Sequence, residues 1–220
     1  MGVLEAVARM VQLGGAPDRA ARVAEMRARY QEKTGAFAPD DASSGRFEER
    51  SRAFWCDAVT RARFGREVEA DLTVEERRWL DPLERAHRGL FRAEGEVLVD
   101  VWSGAELAVT LVDDVSRAEL AAADGQLFDG RVVGWDDGGP GCALLPGALF
   151  HPRDATAAIG AVLPAGRARN LSTDDMLDAL LRMERMLRSM SRVKAAYAYR
   201  PEALEPPGAA PVRRPARAPA

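Results

Sequence analysis

The spacing of apolar residues changes its period once along the chain, between positions 90 and 150. Val97 and Val99 alternate with residues that point to the other side, and Leu107 and Val109 resume the alternation. A period of two is typical of a β-strand with one buried face. Before and after this segment, apolar residues recur at steps of three and four, as in amphipathic helices. The pattern predicts an α+β protein with helices on both sides of a small antiparallel sheet.

Five strands and one helix are predicted in this segment. Ser103-Gly104, between two alternating runs, is typical of a two-residue hairpin loop, and Pro146-Gly147 indicates a bulge or an edge in the last strand. Ser116 and Glu119 form a capping box that predicts a helix from Ser116 to Ala123. The predicted strands are Leu90–Ala93, Glu96–Trp102, Glu106–Val112, Gln126–Trp135 and Cys142–Phe150. A helix between the third and fourth of five strands is the order of an oligonucleotide/oligosaccharide-binding barrel, although an SH3-like barrel or a curled sheet would give a similar order.

Signals at helix ends divide the rest of the chain. Pro82 predicts a short helix that starts beside it, and Gly89 predicts where that helix ends. A helix over 154–163 is followed by a loop that begins at Pro164. The expected segments are an N-terminal helical hairpin (1–33), a linker (34–45), a helical segment (46–89), a small acidic β module (90–152), C-terminal helices (153–200) and a disordered tail rich in Pro, Ala and Arg (201–220).

The longest predicted helix, from Ser172 to Tyr199, carries an apolar seam. Its members alternate at steps of four and three over about three heptads. One interpretation is packing against the second helix, where Val23, Met26 and Tyr30 have matching spacing; the other is docking of a partner helix. The seam consists of Met176, Leu180, Met183, Leu187, Met190 and Tyr197. We therefore expect a protein partner or self-association, with a possible homodimer through residues 173–199.

Charge is distributed unevenly along the chain. Residues 90–150 include eleven acidic and three basic residues, a net charge of −8, whereas the rest of the chain carries +5. Nucleic-acid binding depends on neutralising phosphates, so nucleic acid is not the expected partner, and the β module should prefer cationic surfaces. The basic tail residues Arg213, Arg214 and Arg217 keep a nucleic-acid-associated protein as an alternative. A non-enzymatic adaptor or regulatory protein is the leading expectation.

One polar cluster is the candidate site for a second alternative, an enzyme of undefined reaction. Asp129 and Arg131 share one strand face, and Asp100 is expected nearby across the sheet. A partly buried acid beside an arginine can serve acid–base chemistry, or it can be a structural ion pair. The structural pair is the favoured interpretation, so no catalytic residue is assigned.

Other patterns argue against a metal, a cofactor and a membrane span. Cys56, Cys142, His87 and His151 lack the closely paired spacing of zinc ligands, so no metal or cofactor is expected. No apolar run reaches the length of a membrane span, and Met1 to Gly15 does not have the pattern of a secretory signal. We expect a cytoplasmic protein.

Several short stretches resemble a loosely defined set of uncharacterised bacterial proteins. These have a helical start, a strand of the form valine-x-leucine-x-Asp-x-x-x-Gly and a later strand of the form Gly-Asp-x-x-x-x-Arg. The matching stretches are Leu72–Arg77, Leu83–Ala86, Gly89–Phe91, Val97–Gly104 and Gly125–Val133. Gln126 stands where those proteins often have an acid, and the Cys-rich metal-binding tail of some of them has no counterpart in these residues. The resemblance covers roughly residues 46 to 152 and implies a compact β module after helices, without an activity.

Overall fold

The protein combines helical layers with a mixed β-sheet, as a computed structural model shows. The structure describes residues 2–38, 46–95, 97–134, 141–190 and 192–205. Within these residues the α-helices are α1 (Val3–Gly14), α2 (Ala20–Thr34), α3 (Arg46–Thr60), α4 (Phe64–Glu67), α5 (Val74–Arg77), α6 (Leu80–Glu84), α7 (Asp114–Ala122), α8 (Thr156–Ala168), α9 (Thr173–Ser189) and α10 (Ala195–Ala198). The strands are β1 (His87–Glu94), β2 (Val97–Asp100), β3 (Glu106–Leu111), β4 (Leu127–Gly134), β5 (Gly141–Leu144) and β6 (Leu149–Phe150). The predicted α+β class is confirmed.

The sheet has six strands among the described residues, in the order β1-β2-β3-β5-β4-β6, and β1 also pairs with β4. The prediction of five antiparallel strands is wrong on two counts. The β3–β5 pair is parallel. The predicted last strand is two short strands, because Pro146 and Gly147 interrupt it and Gly147 has a φ of 99°. A Cβ at Gly147 would lie 2.5 Å from the backbone nitrogen of Ala53, so glycine lets this corner lie against α3.

The predicted two-residue loop after β2 is wrong, because the strand ends at Asp100 and pairing resumes at Glu106. The Asp100 carboxylate accepts hydrogen bonds from the Trp102 amide at 2.8 Å and from the Ser103 hydroxyl at 2.8 Å. Such side-chain to backbone bonds compete with the strand ladder and favour a turn. Asp100 therefore ends β2 two residues earlier than the alternation predicts.

The start of β1 also differs from the prediction of a helix that ends at Gly89. The helix ends at Glu84, and the strand begins at His87. Gly89 faces Gly130 across β1 and β4, and the rings of Phe91 and Phe128 lie where the two Cβ atoms would be. Gly89 thus makes room for an aromatic ring inside the sheet.

Two helices in the second half of the chain, α7 and α8, do not begin or end where the sequence predicts. Asp113, not Ser116, caps α7, since its carboxylate accepts from the amides of Val115 and Ser116. The loop predicted from Pro164 is helical to the end of α8 at Ala168. Gly166 in this last turn packs against Met176, so burial against α9 offsets the hydrogen bond that proline lacks.

The long helix predicted to reach Tyr199 ends at Ser189, and the separate helix α10 follows from Ala195. Disorder from residue 201 is also contradicted for the first residues of the tail, where Pro201–Leu204 form a 3-10 turn and Leu204 is buried. Residues 39–45 of the predicted linker (34–45), residues 135–140 and the tail from 206 lie outside the described residues.

Three apolar clusters connect the layers. The first lies among the helices from α1 to α6 and includes Val133 of the sheet. The second joins α8, α9 and α10 to Leu90 and Leu127 on one sheet face. The third surrounds Phe91 and Phe128 on the opposite face. Strands β1 and β4 are consequently buried on both faces, and any charged side chain there needs a partner.

Among the described residues, no helix has the length and apolar character needed to cross a bilayer.

Candidate functional site

A buried ion pair joins the two central strands. Arg88 Nε donates to Asp129 Oδ1 at 3.1 Å, and Arg88 Nη2 donates to Asp129 Oδ2 at 2.6 Å. Register places Arg88 opposite Arg131 and Leu90 opposite Asp129, so these side chains share one sheet face. Both side chains of the pair are only 5% exposed. The two-pronged geometry is the strongest form of arginine–carboxylate recognition.

Helix α9 adds a second carboxylate to this pair. Arg88 Nη1 donates to Asp178 Oδ1 at 2.6 Å, and Arg61 Nη1 donates to Asp178 Oδ2 at 3.2 Å. Burial by itself would raise the pKa of Asp178, but Arg88 and Arg61 outweigh it and lower that pKa. Burial likewise opposes the charge of Arg88, yet Asp129 and Asp178 raise its pKa well above the usual value. Arg88 and Asp178 therefore stay ionised at neutral pH.

Arg131 has a different partner from the one the sequence suggests. It forms an ion pair with Asp57 of α3, and its side chain is 7% exposed. Asp129 is bound by Arg88 instead. The predicted neighbours thus share a strand face, but Asp129 binds a residue of strand β1 and Arg131 binds a residue of helix α3.

Asp100 lies apart from the other two members of the predicted cluster. It pairs in register with Phe91, on the face opposite to Leu90 and Asp129. Its Oδ2 atom is 2.9 Å from Nε2 of the half-exposed His87. Burial would raise the pKa of Asp100, but hydrogen bonds from Ser103, the Trp102 amide and His87 lower it. Asp100 closes a turn in this structure.

A second buried pair, Arg50 with Glu184, connects α3 to α9. Arg50 Nη2 lies 2.7 Å from Glu184 Oε2, with side-chain exposures of 3% and 6%. Arg50, Arg88 and Asp178 were not predicted as site residues. For Arg50 the sequence contains a signal: it lies on the same helix face as Phe47 and Phe54, where burial of an unpaired charge would be costly.

The predicted seam divides into a buried half and an exposed end. Met176, Leu180 and Met183 are 0–1% exposed and pack in the cluster formed with α8 and α10. Leu187 is half-buried, whereas Met190 and Tyr197, beyond the end of α9, are 41% and 63% exposed. Helix α9 also lies against α2, the neighbour that the first interpretation named. The buried half is therefore occupied within the subunit.

A cavity lies between the sheet and α7. It measures about 550 Å³, and we call it the sheet–helix groove. Arg117 and Asp124, both exposed, contribute its charged lining. Its apolar lining comes from Ala93, Leu98, Val109, Val112, Leu120 and Ala121. A mostly apolar cavity with a few polar groups is a common form of binding site.

Part of the acidic charge counted for residues 90–150 is used inside the molecule. Asp100 and Asp129 are buried, and Glu96, Asp136 and Asp137 lie outside the described residues. The exposed acids of the described part are Glu94, Glu106, Asp114 and Asp124. Arg131 is buried as well, so the exposed surface of the module keeps an excess of negative charge.

The cysteines and histidines do not come together. Cys56 is buried, and burial raises the pKa of its thiol to about 11. Nδ1 of the buried His151 lies 2.8 Å from the Tyr199 hydroxyl oxygen, and its Nε2 has no hydrogen-bond partner among the described residues. Burial lowers the pKa of His151 to about 4. No group of three His, Cys, Asp or Glu residues in the described ranges is arranged to hold a metal ion.

The aromatic residues of the module are also largely internal. Phe91 and Phe128 are fully buried, and Trp102 and Phe150 are half-buried. Trp135, like the tail residues Arg213, Arg214 and Arg217, lies outside the described residues.

Comparison with known protein families, curated proteins and solved structures finds no match to this chain.

Proposed function

We propose that this protein is a non-enzymatic interaction protein of the adaptor or regulatory kind, which binds a partner protein at the sheet–helix groove. One observation carries the proposal: the sheet–helix groove is lined mainly by apolar side chains and lies on an acidic module. Leu98, Val109 and Leu120 offer contacts for an apolar side chain. Exposed Asp124 in the lining favours a basic residue beside that anchor. The partner that fits is a protein segment with a large apolar residue flanked by Lys or Arg.

The charged cluster supports a structural rather than a catalytic role. Both carboxylate oxygens of Asp129 are engaged by Arg88, and both oxygens of Asp178 are engaged by arginines. A general base needs a free oxygen within reach of the proton that it removes and a pKa near the working pH. The pKa of Asp178 is lowered, in the direction away from that requirement. Binding is therefore the function that this geometry favours.

A peptide selection tests the proposed partner class. The full chain is immobilised, a displayed library of random peptides is selected against it, and one enriched peptide is labelled for fluorescence anisotropy. We expect enrichment of peptides with a large apolar residue next to Lys or Arg. Ala121→Arg, in the groove lining, should weaken binding at least tenfold, because it places a cation and a long side chain in the cavity. Ala122→Arg is the matched control, because Ala122 is the next residue of α7, is also exposed and does not line the groove.

Two results would contradict the proposal. One is a selection without apolar–basic enrichment, or an equal effect of both substitutions. The other is tighter binding of a labelled single-stranded oligothymidylate than of any selected peptide, which would favour the nucleic-acid alternative.

We also propose that five of the strands close into a barrel of the oligonucleotide/oligosaccharide-binding type. The supporting observation is a ring of pairings: β1 with β2, β2 with β3, β3 with β5, β5 with β4 and β4 with β1. Helix α7 follows β3 and precedes β4, as in that topology. Closure removes unpaired strand edges, which suits a small sheet beside open solvent.

Backbone NMR tests the closure. Nuclear Overhauser contacts are expected between β3 and β5 at Val109 and Cys142, and between β1 and β4 at Leu90 and Asp129. Absence of either set in the folded protein would mean that the sheet is open at that point.

A further inference from the structure

We propose that a basic cleft between α2 and the end of α3 binds a small organic phosphate. The cleft, which we call the α2–α3 cleft, has a volume of about 270 Å³. Its lining includes the cations Arg22, Arg29, Lys33 and Arg61 and one carboxylate, that of Asp57. It shares no residue with the sheet–helix groove, so this proposal goes beyond the proposed function.

The cations of α2 form a continuous row. Arg22, Met26, Arg29, Tyr30 and Lys33 follow one another at helical spacing and therefore lie on one face of α2. Eleven residues of helix separate the ends of this row by about 16 Å. Met26 and Tyr30 are buried, so the row combines an apolar base with cationic sides.

Two carboxylates near the cleft, Asp57 and Asp178, already form ion pairs with buried arginines. Asp57 forms its ion pair with the buried Arg131. Asp178 is shared between Arg61 and Arg88, and Arg88 has the shorter contact, 2.6 Å against 3.2 Å. The guanidinium of Arg61, 30% exposed, contacts two carboxylates, Asp178 at 3.2 Å and the 42% exposed Asp174 at 3.6 Å.

Of the α2 cations, Lys33 is the least compensated. Its ammonium group has no ion pair among the described residues, whereas Arg22 is paired with Glu67 and Glu25, and Arg29 is paired with Glu25. Neither of these glutamates lines the cleft. The cleft lining therefore has an excess of positive charge that an anion could balance.

A smaller cavity continues the basic lining beyond Arg61. It measures about 130 Å³ and includes Arg88 and Arg131 together with Glu84 and Asp174. Arg61 lines both cavities. Arg88 and Arg131 are already balanced by Asp129, Asp178 and Asp57, so this second cavity adds space beside Arg61 and no net positive charge.

These features select a phosphate with a small body. The planar fork of arginine matches two oxygens of a phosphate, and a phosphate monoester carries close to two negative charges at neutral pH. The volume of the cleft accepts a phosphate and a few carbon atoms, and Met26 with Tyr30 offers them an apolar base. A nucleic-acid strand is a poorer fit, because the cleft is small.

Glycerol 3-phosphate is a suitable probe, with glycerol as its uncharged counterpart. Isothermal titration of the full chain at low ionic strength should show saturable binding of glycerol 3-phosphate and none of glycerol. Lys33→Gln should weaken the binding about tenfold, since it removes one charge-assisted contact. Arg63→Gln is the matched control: Arg63 is 67% exposed, loses the same charge and lines neither cavity.

The proposal is overturned if glycerol 3-phosphate does not bind saturably, or if Lys33→Gln and Arg63→Gln weaken it equally. Equal weakening would indicate a general effect of net charge. Ala121→Arg, which blocks the sheet–helix groove, should leave phosphate binding unchanged. The two sites can therefore fail separately.

Discussion

Arg88 binds both carboxylate oxygens of Asp129 across neighbouring strands, with one contact at 3.1 Å and the other at 2.6 Å. The same guanidinium reaches Asp178 on α9 at 2.6 Å. One side chain therefore holds two strands and a helix together, and its charge is balanced only in that arrangement.

Loss of Asp129 should be strongly destabilising. Asp129→Ala leaves Arg88 buried with one fewer counter-charge, and breaking a buried pair typically costs about 3–5 kcal/mol. Urea unfolding followed by circular dichroism measures the free energy of unfolding. The control is Glu94→Ala, which breaks the exposed pair with Arg92 on the same strand and should cost about 1 kcal/mol or less. Similar costs for the two variants would contradict the role assigned to Arg88 and Asp129.

The corner between β5 and β6 should not tolerate a side chain at Gly147. Gly147→Ala introduces a Cβ 2.5 Å from the Ala53 nitrogen and retains a φ of 99°, so strain and a backbone clash add. Gly125→Ala is the matched variant, since Gly125 has a φ of 72° and nothing within 4 Å of its Cβ position. We expect Gly125→Ala to lower the free energy of unfolding by about 1–2 kcal/mol and Gly147→Ala to lower it by clearly more, as measured by thermal unfolding. Equal costs would mean that the contact with α3 is absent.

Buried His151 should make the protein less stable as the pH falls. Its pKa is about 4 in the folded protein and near 6.5 when unfolded, so the unfolded chain takes up a proton first. The stability that neutral His151 provides is complete above pH 6.5 and is lost as the pH falls toward 4, by roughly 3 kcal/mol in total. Urea unfolding at a series of pH values measures this slope.

His151→Gln should flatten that slope between pH 6.5 and 4, whereas His87→Gln, at a half-exposed histidine, should leave the His151 contribution in place. The carboxylates whose pKa is lowered, Asp100, Asp178 and Glu184, add their own loss in acid. That loss is common to the wild type and His151→Gln, so the difference between these two proteins isolates His151. An unchanged slope in His151→Gln would show that the buried imidazole is not the group responsible.

The two ends of the predicted seam should respond differently to truncation. Met183→Ala removes a side chain that is 1% exposed and should cost about 2–5 kcal/mol. Met190→Ala, at a residue that is 41% exposed, should cost about 0.5 kcal/mol or less. Chemical unfolding measures both. A large cost at Met190 together with a concentration-dependent stability would point to self-association through the exposed end.

Local patterns in the sequence were sufficient to identify most elements. The alternation at Val97, Val99, Leu107 and Val109 predicts strands that the structure confirms, because each strand lies over an apolar core on one side. Thr73 and Glu76, a Thr-x-x-Glu pattern visible in the sequence, form the capping box at the start of α5.

Features that depend on distant residues were missed. The parallel pairing of β3 with β5 joins segments about thirty residues apart, and no local period indicates it. Asp129 and Arg131 are two positions apart on one strand, which suggested a pair, but their partners Arg88 and Asp57 come from elsewhere in the fold. Pro164 remains helical because tertiary packing at Gly166 outweighs a local signal.

The ion pairs that Arg88 forms with both Asp129 and Asp178 affect how the protein unfolds. If α9 separated from the strands while the rest stayed folded, the buried guanidinium of Arg88 would lose one of its counter-charges. Such a partly unfolded intermediate would be disfavoured. Denaturation monitored at the helices and at the sheet should therefore trace one shared cooperative transition, even though the apolar contacts form three separate clusters.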